Sequence, residues 1–126
     1  MRFPIIATIL LTGTFAIAMP QSPFVGEWQS RVSRVTHKPA ITVNIVEQEQ
    51  RLGGTVVLVN PDGSEIQLGI ANVRVTENVI EFETQDMNST FYWSLSVQKN
   101  PNRGLLHGSC GEMLIDEPVR KHRPSR

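Results

Sequence analysis

Few side chains in this sequence could do chemistry, and they are widely spaced: three histidines, one cysteine and 12 carboxylates in 126 residues. His107 and Ser109 share strand parity, which puts them on one face, while Leu106 and Cys110 take the other. His107 and Cys110 therefore point to opposite sides of a strand and cannot chelate one ion without a bulge between them. His37 and His122 are remote in sequence and supply no motif. Gly108-Ser109-Cys110-Gly111 lacks the spacing of a nucleophile elbow, and no helix follows to hold such a serine. Glu47 with Glu49 and Glu81 with Glu83 are carboxylate pairs at i, i+2, which could act as an acid and a base if they shared a face. On strands those positions face solvent opposite a core face, where glutamate also discourages edge pairing. The expectation is a protein that is not an enzyme, with no metal and no cofactor. Cys110, beside Leu106, reads as a small buried hydrophobe.

The aromatic residues are more telling. Residues 90–97 read Thr-Phe-Tyr-Trp-Ser-Leu-Ser-Val and hold three aromatics in a row. Phe91, Trp93, Leu95 and Val97 share one face and Tyr92, Ser94, Ser96 and Gln98 the other, the pattern of a strand with one side in a core. Burying the apolar four contributes roughly 1.5–3 kcal/mol each before entropy is counted. Trp28, Phe82, Phe91 and Trp93 are expected to meet in one interior. They are either its packing or the wall of a ligand cavity whose polar groups are Tyr92, Ser94, His107 or Ser109. Parity sends Tyr92 and Ser94 away from Trp93 unless the strand twists or bulges.

The elements that must position these residues are strands. A first strand is expected at 29–35, broken at His37-Lys38-Pro39, a second over 41–45, and a polar connection over 47–51. A third strand runs 52–59, with Gly53-Gly54 marking a bulge or bend. Asn60-Pro61-Asp62-Gly63 is the strongest turn, with proline set for its second position and glycine free for its fourth. Ile66, Leu68 and Ile70 alternate, and the run continues through Val73 and Val75 after a phase slip at Ala71-Asn72 that suggests a bulge. Glu77-Asn78 turns into 79–85, where Ile80 and Phe82 face one way and Glu81 and Glu83 the other. A loop at 85–89 leads to the aromatic strand, a turn-rich link at 99–104 follows, and 105–110 and 112–115 complete the set. No segment has helical periodicity. The fold class is all-β: a single antiparallel, mostly up-and-down barrel of about eight strands, with a β-sandwich as the alternative.

Charge and termini set the compartment. The 12 basic and 12 acidic residues balance, which gives no field for nucleic acid. Arg2, the apolar run 5–15 and Ala16-Ile17-Ala18 resemble a secretory signal over residues 1–18; the charge-free stretch 3–19 sits at the lower limit for a spanning helix, and no stable membrane span is expected. The expected location is secreted or extracellular, or periplasmic in a bacterium. A proline-interrupted arm at 19–23, a domain at 24–119 and a basic flexible tail at 120–126 follow. A lone cysteine excludes an internal disulfide framework. Asn88-Ser89-Thr90 is an N-glycosylation acceptor sequence.

Phe24-Val25-Gly26-Glu27-Trp28 resembles the first-strand motif of the calycin superfamily, which includes lipocalins, fatty-acid-binding proteins and avidin-like proteins. The resemblance implies a tryptophan across the closed end of a small secreted barrel that binds an apolar or amphipathic ligand. It also implies, from the lipocalins, an arginine packed on Trp28, for which Arg120 is the positional candidate. The sequence departs from each branch: no room for a helix pair after the first strand, no central lipocalin motif, and too few tryptophans for an avidin pocket. Two functions are therefore expected: enclosure of a small apolar or amphipathic ligand by Trp28, Phe82, Phe91 and Trp93, or protein interaction through loops around a filled barrel.

Overall fold

The computed structural model describes residues 22–122. The expected signal (1–18), most of the 19–23 arm and the last part of the tail (123–126) lie outside the described residues. Within them the chain is all-β, with nine strands in one antiparallel sheet: β1 (Gly26–Gln29), β2 (Ile41–Gln48), β3 (Arg51–Val59), β4 (Glu65–Gly69), β5 (Ala71–Thr76), β6 (Val79–Asp86), β7 (Ser89–Val97), β8 (Arg103–Cys110) and β9 (Met113–His122). No helix among them is long and apolar enough to cross a membrane.

The order across the sheet is β4-β3-β2-β1-β9-β8-β7-β6-β5. Every strand but the two edges pairs with its neighbours in sequence, and β1 pairs with β9. The edges are consecutive in the chain and meet at Ile70, whose N–H bonds to the Gly54 carbonyl at 3.0 Å. The sheet is not hydrogen-bonded between β4 and β5, although β4 lies near β6 and β3 near β5. The single run expected over 66–75 is thus divided. Its first half pairs with β3, its second with β6, and the expected irregularity falls between Ala71 and Arg74, with Asn72 at φ 53°. Counting the run as one strand gives the expected eight.

Other boundaries differ from expectation for local reasons. The first strand is Gly26–Gln29, not 29–35: after Ser30, whose hydroxyl accepts the Ile41 N–H at 3.0 Å, the chain leaves the ladder and forms an arm closed by a Val32–Pro39 bridge. The polar connection at 47–51 shrinks to Glu49-Gln50, both at positive φ, in a tight hairpin turn. The 85–89 loop likewise shrinks to Met87-Asn88. The Gly53-Gly54 pair carries no bulge, since β2 and β3 stay in register throughout. Gly54 instead permits a close approach: with φ at 140°, a Cβ there would stand 1.8 Å from the Asn44 carbonyl oxygen.

The largest correction is at the C-terminal end. Residues Arg120, Lys121 and His122, expected in a flexible tail, continue β9 and face Gln29, Trp28 and Glu27 of β1. The turn at 60–63 is as expected, with Gly63 at φ 91° and its N–H on the Asn60 carbonyl at 2.8 Å.

The core gathers Phe24, Trp28, Val43, Ile45, Val56, Ile80, Phe82, Trp93, Leu95 and Leu106 with their neighbours in one cluster. Alternation along β7 accounts for its share: Trp93, Leu95 and Val97 are buried, Tyr92 is exposed, and Ser94 and Ser96 lie between.

Candidate functional site: the outer face of β7, β8, β9 and β1

Of the four aromatic residues expected at a site, three are buried in the interior. Trp28, Phe82 and Trp93 have at most 2% of their surface exposed, and Phe91 packs partly buried against them. Phe82 and Phe91 each stack near-parallel with Trp93, with ring centroids 6.5 and 5.6 Å away. The Trp93 indole N–H donates to the Thr84 hydroxyl at 2.9 Å, and that of Trp28 to the Phe24 carbonyl, also at 2.9 Å. Both buried donors are satisfied within the protein. Thr84, itself buried, was hidden in a strand read only for its apolar residues.

Room for the two indoles comes from β8, whose inward positions read Gly104, Leu106, Gly108. A Cβ on Gly108 would collide with the Trp93 ring, and one on Gly104 would press on Leu95 and Trp28. The interior space opposite each tryptophan is thus taken by the ring itself. Above Trp28 sits a cation, but a different one from that implied by the calycin resemblance. Lys121 Nζ lies 5.1 Å from the ring centroid and donates to the Pro23 carbonyl at 2.8 Å. Arg120 has the opposite parity and faces outward between Gln29 and Arg103. Burial pulls the Lys121 pKa below the ordinary 10.5, while the Pro23 carbonyl and the Trp28 face favour the charged form.

The outer face of the same strands carries the polar residues in rows set by register. One row crosses β6 to β9 as Glu81, Ser94, His107 and Asp116. Together with Tyr92, Ser109 and Leu114 it lines a shallow concavity of about 330 Å³. His107 Nδ1 contacts the Asp116 carboxylate, and Glu81 lies 3.9 Å from Arg74. Serine, histidine and aspartate stand side by side in the order of a catalytic triad. Among the described residues no hydrogen bond joins Ser94 to His107, and the strands that carry them, β7 and β8, are each paired on both sides. The second carboxylate pair is likewise engaged, Glu83 by the Asn72 amide at 3.1 Å. Glu47 and Glu49 are exposed, with Glu49 in a turn.

A second row, one that sequence reasoning missed, runs Gln29, Arg120, Arg103 on β1, β9 and β8, and the Gln98 N–H bonds to the Arg103 carbonyl at 2.9 Å at its end. It borders a larger concavity of about 600 Å³ closed on one side by Arg31 and Val32 of the arm. Leu105 and Pro118, directly opposite each other, form an apolar strip beside the arginines. Among the described residues no aspartate or glutamate lines this groove. Only cross-strand register, which the sequence does not print, brings Arg103 and Arg120 together.

Among the described residues no three or more of His, Cys, Asp and Glu are placed to hold a metal. Cys110 is half-buried instead of enclosed, and Asn88 is exposed at the β6–β7 turn. The chain was compared with known protein families, curated proteins and solved structures, and nothing matches in any of the three.

Proposed function

We propose that this chain is a secreted, non-catalytic binding module on a calycin-like scaffold, and that it takes a small amphipathic ligand in the outer groove between the 31–39 arm and β8–β9. The supporting observation is a division of space. Trp28, Phe82 and Trp93 are packed into the core, whereas the groove of about 600 Å³ sets an apolar strip beside polar walls. That size lies within the usual range for small-ligand sites, roughly 300–1,000 Å³. This reading puts the ligand on the outer face, where the sequence suggested the inner one. The scaffold reading draws on the Gly26-Glu27-Trp28 opening, the up-and-down order, and a cation on Trp28, with lysine where the lipocalin pattern has arginine.

The test is a backbone-amide NMR titration with a short-chain amphiphile. Shifts concentrated at Val32, Leu105 and Pro118's neighbours are expected, with Leu95 and Trp93 little changed. Shifts centred on Phe82, Phe91 and Trp93 would return the site to the interior.

A second reading, protein interaction, is favoured by one observation. At the other end of the outer face Tyr92 and Leu114 are exposed on either side of Ser109 in one register row, Leu114 by 77%. An exposed apolar cluster of this kind suits a protein surface better than a small ligand. Pull-down with a Leu114→Asp control separates the two readings, since this change leaves the groove intact.

A further inference from the structure

Arg103 and Arg120 are direct cross-strand partners on the exposed side of β8 and β9. Side chains so placed have Cβ atoms about 4.5–5.5 Å apart, and like charges there are destabilising. Among the described residues no carboxylate forms an ion pair with either of them. The ion pairs among the described residues are Lys38–Glu65, Arg74–Glu81 and His107–Asp116, none of which involves these arginines. Residues 1–21 and 123–126 contain no aspartate or glutamate that could reach over.

The nearby acids are otherwise placed. Glu27 faces His122 and accepts from the Gln29 amide at 3.3 Å. Asp116 is four residues along the strand from Arg120, about 13 Å at strand rise, and is held by His107. Glu117 has the parity of Val119 and faces the other side. Arg31 adds a further cation to the same groove, which His122 also lines.

Two adjacent guanidiniums, amides from Gln29 and Gln98 beside them, and an apolar strip at Leu105 and Pro118 make a two-part surface. Guanidinium forks match oxyanions with two or more acceptor oxygens. We infer that Arg103 and Arg120 form the head-group subsite of the groove, and that its ligand is a single-chain amphiphile ending in an oxyanion. This rests on the outer-groove reading above and deepens it by assigning the ligand's charge. The oxyanion is a carboxylate or a phosphate, which the two arginines grip alike, while the chain lies along Leu105, Pro118 and Val32.

The experiment titrates the purified chain at low salt, below micelle formation, with dodecanoate, dodecyl phosphate, neutral dodecyl maltoside, cationic dodecyltrimethylammonium and inorganic phosphate. Each titration is repeated on Arg103→Gln/Arg120→Gln, whose fold is checked by circular dichroism. The two anionic amphiphiles are expected to bind best. The stronger of them names the head group. The double variant should lose about tenfold or more for both, the scale of lost charge-assisted hydrogen bonds, with Arg103→Lys/Arg120→Lys recovering part of it. Equal binding of all amphiphiles by both proteins would overturn the inference and leave the outer groove standing as an apolar site. Silence toward every amphiphile would sink the groove reading itself. Inorganic phosphate binding as tightly as dodecyl phosphate would overturn the amphiphile and leave a bare anion site.

Discussion

Gly108 on β8 stands directly opposite Trp93 on β7, and a Cβ added to it would lie 2.6 Å from one carbon of the indole and 2.7 Å from the next. The ring cannot give way easily, because it stacks with both Phe82 and Phe91 and is tied to Thr84. Gly108→Ala should therefore cost about 1–3 kcal/mol, the usual penalty for overpacking. Gly104→Ala, with contacts at 3.0 Å or beyond, should cost less. Urea unfolding followed by tryptophan emission measures both, and an unchanged midpoint for Gly108→Ala would mean that Trp93 moves freely.

Thr84→Val keeps the volume and removes the acceptor of the Trp93 indole. The donor is left buried and unpaired, at a cost of about 1–3 kcal/mol. Thr84→Ser keeps the hydroxyl and should unfold at a midpoint nearer the parent than Thr84→Val does. If serine proves no better than valine, the hydrogen bond is not what holds Trp93.

Lys121 gives stability a slope in alkali. Its folded pKa lies below the ordinary 10.5 because burial disfavours the charge, so between the two values the unfolded chain holds more proton and stability rises with pH. Lys121→Met should remove that rise while retaining a cover over Trp28. Denaturation midpoints across the lysine range, compared between the two proteins, decide it.

Asp62 acts at the other end of the pH scale. The Ser64 hydroxyl and backbone N–H hold its carboxylate below the ordinary 3.8. A lowered folded pKa means a contribution present above the unfolded value and lost as pH falls through the folded one. Asp62→Ala should flatten the acid limb of the stability curve below about pH 4, with Ser64→Ala giving a similar profile. An acid limb identical to the parent's in both variants would remove the turn from the account.

Arg120→Gln should raise stability by a few tenths up to about 1 kcal/mol in low salt, because it relieves a like-charge pair. The gain should fade toward physiological salt, where the screening length is about 8 Å. A loss of stability at every salt concentration would show instead that Arg120 is a structural residue of β9.

Much of the fold could be read from the sequence where one strand has one buried face. Trp93, Leu95 and Val97 alternate strictly with polar neighbours, and Asn60-Pro61-Asp62-Gly63 carries its own backbone geometry, so both were placed correctly. The end of β9 was not, because Pro118 and the cations after it look like a tail. Proline is tolerated there because β1 ends at Gln29 and pairs with β9 only from Arg120 onward, so no β1 strand faces the missing N–H, and Lys121 is ordered by Trp28 and Pro23, two partners far away in sequence. Cross-strand rows are harder still. That His107 meets Asp116, or Arg103 meets Arg120, depends on the β8–β9 turn being two residues, Gly111-Glu112, and a turn one residue longer would have broken both pairings. Trp93 was identified as inward-facing from parity, and Trp28 from the resemblance of its strand. That each ring lies tight against another strand came from two glycines on β8, Gly104 and Gly108.

The β1–β9 ladder joins residues as far apart as Glu27 and His122, while every other ladder links strands adjacent in the chain. Closing so long a loop is the costliest chain-entropy step in this topology, and it comes before the contacts that reward it. A circular permutant that joins β9 to β1 and opens at Ile70 would run from one sheet edge to the other through sequential hairpins only. Its contact order would drop with the same side chains in the same places. The position of the chain ends, more than the composition of the core, sets how fast this sheet assembles.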